Sequence, residues 1–572
     1  MVKAKIIITM SRKLITIILL TLSLAVMLWL ALLNFGAPRL NDLVLQIAEW
    51  KRFCIRASVL MPVLVAVLWL AESKNFPSFV SAVVIAVCAV EAIYATLQLY
   101  GFEWSNHGLY KETGSFYNPG PLGGFIAIGL VVALGAYLKL KYDKHNIDYE
   151  LNIRNTTIGL CKPLSFMCLA VVVLVLLVLP STMSRTAWMA AVVGSAYVAL
   201  CHADWRRYLP KVCWQRVVLA VAGLVLSVAV MFGVWHIKSG SATGRVLMWK
   251  VSAMAVADSP ITGHDNFKSA YGEAQERYFR QAESQYPQID DNPFVDSAAS
   301  PDYAFNEYLN LAVEWGLPLT LAVLAFMALT LIIGHRNRQY ALVGGLLALF
   351  VFSFASYPMH VPAFVVVMLL MVAGCWWNVA SEHFWKKIVA TVVLVGVSAL
   401  CLSNIANYSE KQKSMQKWSK VQYFYNVKSY DVVEREYSAL YGKMSWNGRF
   451  MYEYGHALHN LKMYEKSNEI LLEADRLLND PMTLNVIGKN YQMLGQYDLA
   501  EQYFEKSSYR VPNRMYPYYL TMKMYSDSVS YDSIKAQNAA KVILNMHVKV
   551  ESEATRQMID EAENYLNNRK KQ

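Results

Sequence analysis

Apolar residues in this chain gather into blocks of roughly 17–25 residues, the length a helix needs to cross about 30 Å of hydrocarbon. The blocks predict spanning helices at 14–33, 57–72, 79–100, 120–138, 163–180, 186–201, 217–236, 307–333, 340–356, 361–379 and 388–405, about eleven in all. Two longer polar stretches interrupt this pattern. One, at 237–306, links the seventh and eighth spans, and the other is everything after about residue 406.

The last stretch repeats itself. "YEYGHALHNLKMYEKSNEILLEADRLLNDP" aligns with "NVIGKNYQMLGQYDLAEQYFEKSSYRVP" at a shift of about 33, near the tetratricopeptide period. Gly455 pairs with Gly488, Tyr464 with Tyr497, Leu471 with Phe504 and Ala474 with Ser507. Small residues fall where helices touch and large ones where they interlock, which is a packing code and marks scaffold. Residues 418–447 and 516–570 keep helical periodicity and serve as flanking units, because two repeats are fewer than a stack needs. The predicted fold is all-α: a polytopic membrane helix bundle followed by an α-solenoid of tetratricopeptide (TPR) type. Residues 1–405 form the membrane core with its outer loop 237–306, and residues 406–572 form a repeat domain separable from it.

Composition agrees: 55% of the 572 residues are hydrophobic and 17% charged, too apolar for a soluble enzyme. The net charge of +11 raises the question of nucleic acid, but the cations sit in short loops between apolar blocks and form no long basic run with interleaved aromatics, so no nucleic-acid partner is expected. With a cytoplasmic N-terminus, Lys139, Lys141, Lys144, Arg154, Lys162, Arg206, Arg207, Lys211, Arg216, Arg336, Arg338, Lys386 and Lys387 share the inner side. Arg39, Lys51, Arg52 and Arg56 are a local exception, and the stretch "NDLVLQIAEWKRF" reads as an interfacial helix. The first apolar block is too long for a signal-peptide core and is taken as an anchor. An odd number of spans then places the C-terminus outside the cytoplasm. The eight cysteines lie within or beside apolar blocks, with no metal-ligand or disulfide spacing.

Two arginines carry the candidate chemistry. In "LPSTMSRTAWMAAVVGSAYVAL", Arg185 follows the outer turn between the fifth and sixth spans. A cation at the bilayer centre costs about 2.5–3.5 kcal/mol, but one at a span boundary can snorkel to the headgroups. Outer turns are otherwise nearly bare of cations, and Arg185 is flanked by Ser184 and Thr186, which suits an anion better than an anchor. In "SGSATGRVLMWKVSAMAVADSPITGHDNF", Thr243 and Gly244 predict a helix start. Arg245 then opens an amphipathic helix that also carries Trp249 and Lys250. A helix N-terminus favours phosphate, and arginine adds a planar bidentate fork. Two such arginines suit a diphosphate without a metal ion, and no D-x-D motif is present.

The ordered set "GSFYNPGPLGGF" (114–125), "TMSR" (182–185), "TGRVLMW" (243–249), "SPITG" (259–263) and "FNEYLNLAVEWG" (305–316) resembles the O-antigen ligase/polymerase superfamily over roughly residues 80–380. The resemblance implies a glycosyltransferase of the bacterial inner membrane. It would move a glycan from an undecaprenyl-diphosphate carrier to a hydroxyl of lipid A core, of a glycan or of a protein at the periplasmic face. The arginines matching Arg185 and Arg245 would hold the diphosphate, with no metal and no cofactor. Ser184, Asn306, Tyr308, Trp249 and Asn118 fall on motif positions taken as substrate-binding. Many relatives carry histidine before the Asn of "NEYL"; here that residue is Phe305, so the acceptor base is sought among Glu307, His264 and His360. Asn306 and Glu307 also read as a plain helix cap, with Glu314 on the face of Glu307. Ligase or O-oligosaccharyltransferase chemistry is preferred to polymerase chemistry because added repeats suit acceptor or partner docking. The reading from another class is a transporter or flippase, for which Glu91 is the one deep charge. A membrane-anchored scaffold is a third.

Overall fold

A computed structural model of the chain describes residues 76–142, 150–153, 156–159, 161–202, 214, 239–283, 285, 291–380, 384–548 and 551–570. The expected spans 14–33, 57–72 and 217–236 and the interfacial stretch 41–53 lie outside these residues. The helices up to the long polar tail are α1 (Phe76–Leu99), α2 (Pro119–Tyr142), α3 (Cys161–Val178), α4 (Arg185–His202), α5 (Ser239–Asp258), α6 (Phe267–Ala282), α7 (Glu307–Arg336), α8 (Tyr340–Ser353), α9 (Pro362–Ala380) and α10 (Phe384–Asn426). The tail adds α11 (Tyr430–Met444), α12 (Gly448–Asn460), α13 (Tyr464–Asp475), α14 (Pro481–Met493), α15 (Tyr497–Arg510), α16 (Tyr516–Ser526), α17 (Ser533–Asn545) and α18 (Glu553–Lys570). A small antiparallel hairpin, β1 (Glu150–Ile153) with β2 (Thr156–Gly159), precedes α3. Among the described residues, α1, α2 and α7 are long and apolar enough to cross a membrane, and Pro163–Val178, Tyr340–Ser353 and Ala363–Trp377 are shorter apolar helices.

The chain forms two compact units, one within Met1–Val234 and Leu321–Ser409, the other within Trp235–Thr320 and Glu410–Gln572. In the first, α2 is the central helix. It is apolar on every face and buried from Pro121 to Ala133 between α1, α4 and α8, as an all-round apolar helix should be. Small residues let these helices approach closely: a Cβ on Gly129 would lie 2.1 Å from Cys88 Cβ, and one on Gly194 2.9 Å from the Gly344 carbonyl.

The second unit joins two stretches far apart in sequence. The division read from sequence puts 237–306 with the membrane core; in the structure this stretch packs with the C-terminal helices, and the repeats are not a freestanding appendage. Arg510, 3% exposed at the end of α15, pairs with Asp475 of α13 and with Glu276 of α6, the latter at 3.6 Å. Gln275 donates to the carbonyls of Arg510 and Ala299, and Asn513 donates to those of Val295 (3.0 Å) and Ala298 (3.1 Å). The carbonyls of Arg510, Val295 and Ala298 belong to buried residues, where an unfilled acceptor would carry a desolvation penalty.

The tail helices pack in consecutive hairpins. Tight turns at Lys428 (φ 61°), Lys462 (φ 62°) and Gly495 (φ 76°) fall at equivalent positions, each just before the tyrosine that opens the next helix. The aligned pairs meet across the hairpins: a Cβ on Gly455 would lie 2.5 Å from Leu471, and one on Gly488 2.5 Å from Phe504. Packing explains why those positions alternate small and large.

Candidate functional site

In the first unit the site residues stand on two adjacent helix starts. Asn118 caps α2, its Oδ1 accepting from the Gly120 amide at 2.8 Å. Gly123, one turn on, rests against the "TMSR" turn: a Cβ there would lie 2.8 Å from Thr182 Oγ1 and 3.1 Å from Ser184 Cβ. The turn is held by Thr182 Oγ1 donating to the Leu179 carbonyl at 2.7 Å and by Trp188 Nε1 donating to the same carbonyl at 2.9 Å. Ser184 then immediately precedes α4, and half-buried Arg185 is its first residue. The positive pole of a helix and a guanidinium therefore coincide at Arg185. Gly124 takes the other side of α2, where a Cβ would meet the Phe352 ring at 2.4 Å. Phe364 stacks on Phe352 at 5.7 Å and meets Phe125 edge-on at 5.3 Å, tying α9 to the same end of α2. His360 lies on the 3-10 turn Pro358–His360 just before α9.

The loop before α2 is held from within α1. Buried Glu91 accepts from the Ser115 amide (3.0 Å) and hydroxyl (2.5 Å), and Gln98 Oε1 accepts from the amides of Thr113 and Gly114, both at 2.8 Å. The deep charge that a transporter would use is thus a fastening for this loop. Glu112, which the sequence reading did not single out, is 4% exposed and its carboxyl meets the Ser181 hydroxyl; burial pushes its pKa up. A charged residue two positions before a glycine-aromatic motif was the available signal, and it is a faint one.

In the second unit the remaining residues surround one core. Leu247, Val251 and Ala255 of α5 bury against Phe267 and Tyr271 of α6 and Val313 of α7. Arg245 and Trp249, four apart on α5, are half-buried beside that stripe. Arg245 does not open its helix: α5 begins at Ser239 and runs through Thr243 and Gly244. Glycine costs a helix only about 1 kcal/mol, and no proline stands in "SGSATG" to stop it. The helix-pole contribution expected at Arg245 belongs to Arg185 instead.

His264 clamps the core. Its amide donates to the Val313 carbonyl at 2.7 Å, and its Nε2 lies 2.8 Å from the Ala255 carbonyl. A carbonyl only accepts, so Nε2 carries the proton and is occupied. Asn306 is 4% exposed and caps α7, Oδ1 accepting from Tyr308 (3.0 Å) and Leu309 (3.1 Å). Glu307 is the first residue of α7, where the helix pole favours a carboxylate, and Tyr308 follows it, half-buried. Phe305, before the cap, has φ 48°, a conformation that costs a bulky residue of order 1–3 kcal/mol. The helix expected as one span from 307 is broken at Gly316 (φ 78°, ψ 170°), so the amphipathic turns carrying Glu307 and Glu314 precede the apolar stretch.

Residues 170–324 match the profile of the family described as O-Antigen ligase, whose members are glycosyltransferase-type enzymes. The matched stretch includes Ser184, Arg185, Arg245, Trp249, His264, Asn306, Glu307 and Tyr308, while Asn118 and His360 lie outside it. The match and the apolar helices support a membrane enzyme of the O-antigen ligase/polymerase type. No curated protein matches the chain.

Proposed function

We propose that this protein moves a glycan from an undecaprenyl-diphosphate carrier to an acceptor hydroxyl at the periplasmic face of the bacterial inner membrane, as a ligase or O-oligosaccharyltransferase. The observation that carries this reading is Arg185, a half-buried arginine at the first position of a helix, inside the stretch that matches the ligase family. Arg185 and Arg245 would hold the diphosphate. The acceptor oxygen attacks the anomeric carbon, the bond from that carbon to the phosphate oxygen breaks, and the lipid diphosphate leaves. Negative charge grows on the leaving oxygen, and guanidinium groups offset it without a metal.

The acceptor proton needs a base. Glu307 is the candidate we favour: His264 spends Nε2 on Ala255, and His360 lies outside the family match. Ser184, Asn118, Asn306, Tyr308 and Trp249 would line the substrates. Glycan profiling of a deletion strain tests the reaction class. Loss of long-chain lipopolysaccharide or of glycoproteins supports transfer to a distinct acceptor, loss of chain-length ladders supports polymerisation, and an unchanged profile contradicts both.

A further inference from the structure

The tail helices carry a polar cluster that the transfer chemistry does not use. Gln422 of α10, His456 of α12 and Lys489 of α14 each lie six residues before their hairpin's turn residue, Lys428, Lys462 and Gly495. Tyr425 and His459 are likewise equivalent, as are Tyr452 and Asn485. Stacked repeats present equivalent positions on one surface. Here they assemble a lysine, two imidazoles and several tyrosines from the first helices of successive hairpins.

Hydrogen bonds fix what each group offers. Asn490 Nδ2 donates to Ser467 Oγ and Asn468 Oδ1, both at 2.8 Å, so its Oδ1 faces His459 Nδ1 at 2.6 Å and accepts. The His459 proton therefore sits on Nδ1, and Nε2 keeps its lone pair. Asn460 Nδ2 lies 3.3 Å from His456 Nε2, leaving Nδ1–H to donate to the Tyr425 oxygen at 2.9 Å and the Tyr425 hydroxyl hydrogen to point elsewhere. Tyr452 stacks on His456 at 5.9 Å, and Tyr430 meets it edge-on at 6.2 Å. Both imidazoles are held neutral: burial, then its neighbours His459 and Lys489, lowers His456 to about 4, and burial also lowers His459.

Lys489 is half-buried, and burial lowers its pKa. Three lysines of these helices are paired with carboxylates, Lys466 with Glu434 at 3.0 Å, Lys523 with Glu561 at 3.2 Å and Lys535 with Glu501 at 2.7 Å. Among the described residues no carboxylate pairs with Lys489. A half-desolvated ammonium without a counter-charge favours an anion. A bare carboxylate needs donors alone. This cluster offers a cation, a hydroxyl donor and the acceptor lone pair of a neutral imidazole, the combination that suits an anion bearing hydroxyl groups.

We propose that Lys489, His459 and Tyr425, flanked by His456 and Tyr452, form a binding site for an acidic saccharide on the repeat helices. The site shares no residue with the transfer site assigned to Arg185 and Arg245, so it does not depend on that reaction.

The test is calorimetric titration of the full chain in detergent with a tetragalacturonate, its neutral tetragalactose counterpart and an acidic tetrapeptide. The expected result is binding of the tetragalacturonate alone, weakened at least tenfold by Lys489→Gln and by His459→Phe, and unchanged by Arg185→Ala. Thermal unfolding of each variant, matching the parent, separates lost binding from lost fold, and Lys489→Arg restores affinity if charge is what matters. No binding of the tetragalacturonate, equal binding by folded Lys489→Gln, or tighter binding of the acidic tetrapeptide would overturn the proposal.

Discussion

Gly263 and Gly316 meet backbone to backbone. A Cβ on Gly263 would lie 2.5 Å from the Glu314 carbonyl carbon and 2.6 Å from the Gly316 nitrogen, and one on Gly316 would lie 2.2 Å from the Ile261 oxygen. Both have positive φ, 71° and 78°. The Leu317 amide donates to the Pro260 carbonyl at 2.8 Å, closing the clasp. Two motif glycines more than fifty residues apart therefore form one joint, which sets the break between the Glu307 segment and the apolar part of α7.

Gly316 occupies a backbone region that essentially only glycine populates. Gly316→Ala is expected to lose roughly 1–3 kcal/mol from conformation alone, with the clash added. Gly244→Ala is the control: its Cβ would find nothing nearer than 3.9 Å, and helix propensity makes it neutral or stabilising by up to about 1 kcal/mol. Thermal unfolding of the detergent-purified variants measures both, and equal melting temperatures would contradict the clasp.

The Arg510 network predicts that the tail cannot be cut away cleanly. Burial raises the Glu276 pKa, with Arg510 opposing it, so Arg510→Ala would strand two carboxylates and cost about 3–5 kcal/mol. Arg510→Met combined with Glu276→Gln and Asp475→Asn should recover much of that loss. A chain ending at residue 412 should expose residues 239–306 to protease. Unchanged protection of that stretch would show that it folds without the tail.

Acid should weaken the second unit. His456 is lowered in the folded state from 6.5 to about 4 by burial, so between those values the unfolded chain binds the extra proton. Stability is therefore full above about pH 6.5 and falls as pH drops toward 4. His456→Gln should flatten the melting temperature across this window, and an identical slope in parent and variant would rule His456 out as the cause.

Much of the helix order was legible because apolar blocks mark helices, and α2, α4 and α9 start within a residue or so of the expected blocks, α2 being long and apolar enough to cross a membrane. The repeat pattern was legible because Gly455 and Gly488 face large partners one repeat apart. The break at Gly316 was hidden, since a lone glycine in an apolar run is usually tolerated inside a helix. The union of 235–320 with the tail was hidden because Gln275, Arg510 and Asn513 act through backbone carbonyls and buried charge, which leave no periodic trace. Arg185 was legible as a misplaced cation, while the start of α5 was misread from "TG", a pair that helices accommodate.

Orientation is the next expectation. With a cytoplasmic N-terminus, a phosphatase reporter fused after residue 572 should be active as a periplasmic fusion. Activity of a cytoplasmic reporter at the same position would reverse the sidedness of Arg185 and of the tail.

The central claim is that Arg185 and Arg245 bind the carrier diphosphate, and the direct measurement is in vitro transfer from an undecaprenyl-diphosphate glycan with EDTA present. Arg185→Ala should lower turnover roughly a hundred- to thousandfold, about 2.7–4 kcal/mol, the cost of losing a donor to the leaving charge. Lysine should rescue poorly, because a point charge loses the bidentate fork. Near-normal turnover by Arg185→Ala and Arg185→Lys at normal membrane levels would contradict the account.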